Sequence, residues 1–276
     1  MADWPARCAD ALQCLRRQKP LIHHITNFVV MNDTANVTLH IGALPVMAHA
    51  PEEVADMVRL SGALVLNLGT LSIPWLEAMR LAAAEACARA IPIVLDPVGA
   101  GATPFRSEQN LSFLRSFRIH ILRGNLSEVA SLCGIEAEVR GVEAMGAAQS
   151  AADVAVAAAR RFALTAVVSG ATDYVADGRR VVAVDNGHRW LTTLTGTGCA
   201  VTALVGAFAA VCADPVEAAV AGLVSMGIAA EQAAALAHGP GSFRVAFQDA
   251  LYALDPETVM KQARIREITD GDQPQT

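Results

Sequence analysis

Apolar positions along this chain recur with a period near 3.6, then near 2, and the two patterns keep changing places. Residues 5–18 carry the amphipathic pattern of a helix, and 21–30 read as a short strand running into a loop with His23, His24, Thr26 and Asn27. A helix is predicted over 32–41, stopped by Gly42, and a buried strand over 43–47. Pro51, Glu52 and Glu53 predict a helix start, because proline suits the first turn and acidic residues suit the positive end of the dipole. Strands are predicted at 62–68, 91–95, 119–122 and 165–169, separated by helices at 73–90, near 107–116, at 125–133 and at 146–162. The segment 174–184 is two β runs around Asp177-Gly178, a hairpin signal. Four helices (about 198–212, 215–237, 242–253 and 256–265) are predicted to close the chain, with a disordered polar tail from about 268.

Repeated strand–helix units predict an α/β fold: a mostly parallel central sheet covered by helices on both faces, with one small β-hairpin. The length of 276 residues favours a single domain over 1–276. Ligands of such sheets sit beyond the carboxyl ends of the strands. Asn67, Asp96, Arg123, Asn125, Glu128 and Ser169 all follow a β run within a few residues, and that clustering is what predicts an enzyme.

Composition narrows the picture. Hydrophobic residues make up 53% of the chain, enough for a large core without disulfides. Six cysteines are scattered with no CxxC pair, as expected of reduced thiols in a cytoplasmic protein. A net charge of −6 and the lack of a basic run exclude a nucleic-acid surface. The N-terminal residues lack the order of a signal peptide. The most apolar region, 197–230, is interrupted by Gly206, Asp214, Pro215 and Glu217, so no membrane span is expected.

The stretch Leu194-Thr195-Gly196-Thr197-Gly198-Cys199 opens directly into an alanine-rich helix. Uncovered N–H groups at such a start, together with the helix dipole, make an anion pocket. Thr197 and Gly198 would supply donors to a phosphoryl group, and Cys199 in the first turn would face the same pocket. A helix N-terminus is expected to lower the thiol pKa, so Cys199 could accept a hydrogen bond from a hydroxyl or act as a weak base. Asp96 and Glu128 are hard oxygen donors suited to Mg²⁺ through waters; Glu128 could equally be a plain helix N-terminal charge, and Asp96 an Asx-type turn. Arg123 could grip phosphates with its fork or make a surface ion pair.

Six motifs in order resemble the hydroxyethylthiazole kinases of the ribokinase-like superfamily. They are His24-Ile25-Thr26-Asn27 with Thr34-Ala35-Asn36; Gly42 through Ala48; Asn67-Leu68-Gly69-Thr70; Asp96 through Thr103; Arg123 through Glu128; and Gly196 through Cys199. The resemblance implies ATP-dependent phosphorylation of the hydroxyl of 4-methyl-5-(2-hydroxyethyl)thiazole in thiamine salvage. It also implies Mg²⁺ and a homotrimer with active sites between subunits. It puts ATP on Arg123, Asn125 and Ser169, the acceptor on Asn27, Met47 and Gly196, and catalysis at Cys199, where most ribokinase-like kinases carry an aspartate. Asp33 and the run Thr38-Leu39-His40 depart from the family's more apolar pattern, which bears on acceptor choice, and 135–145 is poorly matched. The other readings are a kinase for hydroxymethylpyrimidine, a non-catalytic nucleotide or thiazole sensor, and a cysteine hydrolase needing a histidine beside Cys199.

Overall fold

The computed structural model describes residues 3–135 and 150–268. The first residues of the helix predicted at 146–162, the poorly matched stretch after 135 and the tail beyond 268 lie outside them.

Helices α1 (Trp4–Gln18), α2 (Met31–Ile41), α3 (Val54–Leu60), α4 (Ile73–Ala88), α5 (Pro104–Ser116), α6 (Leu126–Cys133) and α7 (Ala151–Phe162) alternate with strands β1 (Leu21–Ile25), β2 (Leu44–Val46), β3 (Ala63–Asn67), β4 (Ile93–Asp96), β5 (Ile121–Asn125) and β6 (Thr165–Ser169). Strands β7 (Asp173–Ala176) and β8 (Val181–Val184) form the hairpin; α8 (Thr197–Ala209), α9 (Pro215–Leu236), α10 (Pro240–Ala253), α11 (Pro256–Gln262) and β9 (Ile265–Ile268) follow. The helix starts are written locally. Asp3, Ser72, Thr103, Ser150, Asp214 and Asp255 each cap the N–H groups of a first turn, and proline stands at the start of five of those six helices.

One sheet runs β2-β1-β3-β4-β5-β6-β7-β8-β9. Strands β1 to β6 pair in parallel, and β7, β8 and β9 add antiparallel. The chain leaves β1 for β2 on one side and returns to β3 on the other, which opens a crevice at the carboxyl ends of β1 and β3. Strand side chains alternate between two cores: Ala63 and Val65 point to the layer of α1, α8, α9 and α10, and Leu64 and Leu66 to the layer of α3 to α7. The expected α/β class, with helices on both faces and an antiparallel hairpin, is the one observed.

Helix α8 sits unusually close to the sheet. A Cβ on Gly206 would lie 2.3 Å from Val65 Cγ2, and one on Gly222 would meet Val205 of α8 at 2.8 Å, so both close approaches demand glycine. Helix α9 is long and apolar enough to cross a membrane, but 72% of its most apolar window is buried inside the fold, as a core helix requires.

Four local expectations need correction. The strand predicted over 43–47 is only Leu44–Val46 and is an edge strand, not a buried one, so its apolar residues are partly exposed. Residues 51–53 form a turn, and α3 begins at Val54 with Glu53 as its cap residue. The helix expected to end near 265 stops at Gln262, and the chain turns into β9, which pairs with β8. A 3-10 turn at Arg189–Thr193, not anticipated, fills the run before the glycine-rich turn. In β2 the Leu44 N–H bonds inward to the Pro20 carbonyl at 2.9 Å, so by alternation the position lacking an N–H, Pro45, faces outward.

Candidate active site

Helix α8 begins at Gly196, whose φ of +85° needs glycine. A Cβ there would also strike Val30 Cγ1 at 2.4 Å. No side chain caps this start, so the N–H groups of Thr197, Gly198 and Cys199 have no intrahelical carbonyl to meet. The Thr197 hydroxyl instead donates back to the Leu191 carbonyl at 3.1 Å, tying the turn to the 3-10 segment.

The first turn of α8 has two different sides. On one side Arg123, leaving the sheet on β5, lies across Gly198: a Cβ at 198 would sit 2.8 Å from its Nη1. Arg123 is buried, its Nη2 donates to Ser169 Oγ at 2.6 Å, and its Nε has no partner. A buried guanidinium with an unmet donor is costly unless a ligand anion completes it. These groups line a cleft of about 600 Å³, whose walls include Asp173, Asn186, Gly187, Thr197, Leu223 and Met226. Asp173 caps the Gly170 N–H at 2.9 Å, and burial raises its pKa to about 6 despite the hydrogen bond and the nearby Arg123.

On the other side stands Cys199. Asn27 Nδ2 donates to Asn67 Oδ1 at 2.7 Å and approaches Cys199 Sγ at 3.6 Å. Asn67 Nδ2 donates to Asp96 Oδ2 at 3.0 Å, and the Thr202 hydroxyl, one helical turn beyond Cys199, donates to the same oxygen at 2.7 Å. Three strand ends are thus stitched to α8 by one chain of polar bonds. Burial raises the Asp96 carboxyl to about 6, opposed by Arg123 and its hydrogen bonds.

Cys199 corrects an expectation. Its thiol pKa is not lowered but pushed up to about 11, first by burial and then by the negative charge of Asp96. It also faces the asparagines, while Thr197 and Gly198 face the cleft. Cys199 is therefore a neutral thiol at ordinary pH. No histidine among the described residues hydrogen-bonds it. His23 Nε2 meets the Ala48 carbonyl at 2.7 Å, and His24 Nε2 meets Thr38 Oγ1 at 3.2 Å, both inside the fold. The arrangement for a cysteine hydrolase is missing.

The remaining predicted residues are placed as follows. Asn125 caps α6 and Glu128 completes its capping box, with Glu128 Oε2 accepting the Asn125 N–H and Oε1 accepting the Gly99 N–H. Glu128 thus already serves as a helix-start charge. Met47 follows the edge strand β2, half-buried and outside the bonded cluster. Asp33 pairs with Arg244 of α10 on a separate cavity of about 220 Å³ behind Gly196. Sequence reasoning gave no role to Asn67, Thr202 or Asp173. Asn67 lay in a quoted motif, and Thr202 was reachable from its spacing three residues after Cys199; Asp173 carried no signal.

The chain matches the model of the hydroxyethylthiazole kinase family over residues 12–257. It is 54% identical to a hydroxyethylthiazole kinase from Desulfatibacillum aliphaticivorans, over 97% of this chain and 100% of that protein. The chain belongs to the hydroxyethylthiazole kinase family. A hydroxyethylthiazole kinase from Chloroflexus aggregans is 53% identical over 95% of both chains. The solved structure of the family's protein from Pyrococcus horikoshii OT3 superposes with a TM-score of 0.88 at 46% identity, covering 95% of this chain and 99% of that one. A pyridoxal kinase from Staphylococcus aureus shares the fold at a TM-score of 0.57 and 16% identity, over 76% of this chain and 87% of that one. The strand order places the crevice at the carboxyl ends of β1 and β3, where the bonded cluster lies.

Proposed function

We propose that this protein, working as a single α/β unit, transfers the terminal phosphoryl group of ATP to the hydroxyl of 4-methyl-5-(2-hydroxyethyl)thiazole in thiamine salvage. One observation carries this reading. A buried arginine with an unmet donor is laid over the glycine at an uncapped helix start, between a nucleotide-sized cleft and a polar pocket at the sheet's switch point.

Each group then has a task. Arg123 and Ser169, with Asn125 at the next helix start, bind the ATP phosphates. The N–H groups of Thr197 and Gly198 point at the phosphoryl group in transit and take up its developing charge. Asn27, Met47 and the Gly196 backbone hold the acceptor with its hydroxyl beside Cys199. Phosphoryl transfer through a loose transition state is catalysed by positioning and electrostatics more than by a strong base. A neutral thiol suits that demand: its sulfur accepts a hydrogen bond from the acceptor hydroxyl and orients it without adding a charge beside Asp96.

Mg²⁺ fits Asp96, whose hydrogen bonds among the described residues use only Oδ2; Glu128, both of whose oxygens accept backbone N–H groups, would reach the ion only through waters. Together with phosphate oxygens they would hold the ion, which supplies neutralisation of the phosphate charge when bound. The exposed Phe28, Val29 and Ile73, with Phe28 and His49 stacked on Trp75, form an apolar patch next to Asn27. That patch supports a homotrimer in which a second copy closes the acceptor site. Free thiols throughout support a cytoplasmic setting.

The test is ADP release from Mg-ATP with hydroxyethylthiazole, with hydroxymethylpyrimidine, and with neither. Turnover dependent on the thiazole is expected. Turnover with the pyrimidine alone would keep the chemistry and overturn the acceptor, and nucleotide binding without any turnover would favour a sensor.

A further inference from the structure

The far wall of the nucleotide cleft is made by Asn186, Gly187 and His188, which link the hairpin to the 3-10 turn. This short segment is gripped from outside the cleft. Gly187 has a φ of +151°, a conformation side chains rarely adopt, and its N–H donates to Glu231 Oε1 at 2.6 Å. The same oxygen accepts from Asn186 Nδ2 at 3.3 Å. Asn186 is buried, and its amide also bridges the Gln262 carbonyl at 2.9 Å and the Arg264 N–H at 2.7 Å. Helix α9 packs so tightly here that a Cβ on Gly227 would lie 2.6 Å from the Asn186 carbonyl oxygen. Glu231 is itself held by Arg264, Nη1 to Oε2 at 2.9 Å and Nη2 to Oε1 at 2.6 Å.

We infer that Glu231 is a positioning residue for ATP: by holding the Gly187 N–H it fixes the cleft wall of Asn186 to His188 in its nucleotide-accepting shape. Glu231 does not line the cleft. It stands on α9, one helical turn past Gly227, so the helix that packs against the sheet also sets the width of the pocket. A carboxylate accepting a backbone N–H is a charge-assisted bond, stronger than a neutral one. Without it Gly187 and His188 are free to relax while Asn186 keeps its bonds to Gln262 and Arg264, and Arg123 and the turn at 196–199 stay in place. The effect belongs to nucleotide affinity, not to the transfer step or the acceptor. This inference rests on the cleft being the ATP site.

The test compares Glu231→Ala, Glu231→Asp, Glu231→Gln and Arg264→Ala with the parent protein. KM for ATP, KM for the acceptor, kcat and Tm are measured for each, with ATP binding followed separately by calorimetry. The parent binding ATP in competition with ADP establishes the cleft first; no binding there would sink the functional reading itself. Given binding, E231A and E231D, the latter too short to reach Gly187, are expected to raise KM for ATP at least tenfold, with kcat and acceptor KM within twofold. E231Q keeps an acceptor oxygen and is expected to stay within threefold of the parent. R264A removes the ion pair but not the Gly187 bond, and is expected to lower Tm while leaving KM for ATP within twofold. Should E231A fail to fold, E231D decides alone. A parent-like KM for ATP in E231D, or parallel losses for ATP and acceptor, would overturn the role.

Discussion

The two sides of the first turn of α8 are built on opposite principles. The Gly198 side is positively charged and incomplete: a buried guanidinium, bare N–H groups and an orphaned Nε. The Cys199 side is neutral at its thiol and cross-bonded, with Asn27, Asn67, Asp96 Oδ2 and Thr202 each bonded to the next. A site left short of acceptors is one waiting for an anion, whereas a cross-bonded one holds a shape. The difference teaches that burial alone does not mark a binding group; at Arg123 the mark is an unmet cationic donor laid beside an uncapped helix start, since unmet neutral atoms such as Trp75 Nε1 occur elsewhere.

That contrast can be broken most severely at Arg123. Arg123→Ala removes the buried cation and is expected to cut kcat/KM by ~10³, while Tm stays near or above that of the parent because an unpaired buried donor is lost. Steady-state kinetics beside a thermal melt would decide, and a large fall in Tm with intact kcat/KM would refute the assignment. Gly198→Ala comes next. Its Cβ collides with Nη1, and ATP affinity is expected to fall about 10–100-fold, on the scale of a displaced clamp.

On the Cys199 side, Asn67→Ala leaves Asp96 and Asn27 each short of a partner, and about 1–3 kcal/mol of stability is expected to go with it. Acceptor KM should rise more than ATP KM; the reverse order in a kinetic split would contradict the division into sides. Cys199→Ala is expected to lower kcat by about tenfold. Because the thiol stays protonated until about pH 11, the parent and C199A should show pH–rate profiles of the same shape from pH 6 to 9. An inflection lost in the variant would mean a working thiolate.

The narrowest effect is expected at Asp173. Its folded pKa of about 6 lies above the ordinary carboxylate value of 3.8, so the native state binds the extra proton between these values. Stability therefore falls as pH rises through that window, and the penalty is complete above it. Asp173→Asn should raise stability at pH 7.5 by roughly 2–3 kcal/mol relative to its effect at pH 4. Equal melting shifts at both values would count against it.

The sequence displayed the Gly198 side better than the Cys199 side. Gly196, Gly198 and Arg123 stand in short motifs whose residue types have few other uses, and the strand ends carried their polar residues openly. The thiol's charge state is hidden in the sequence because its neighbours come from the ends of β1, β3 and β4, far apart in the chain; the local helix dipole is visible there and the buried Asp96 is not. The hairpin was legible from Asp177-Gly178, but β9 was not, since 265–268 pairs only through a sheet already formed. The apolar residues of β2 read as a buried strand, although position in a sheet is set by topology and not by composition.

Pro45 also bears on how copies of the chain can meet. The outermost strand of a sheet is an open template on which another chain can polymerise. Here the outward position in β2 carries no N–H, so a would-be incoming strand finds a missing rung at the middle of a three-residue ladder. Pairing of another chain along β2 is thereby disfavoured, and a partnership at this edge is left to side chains.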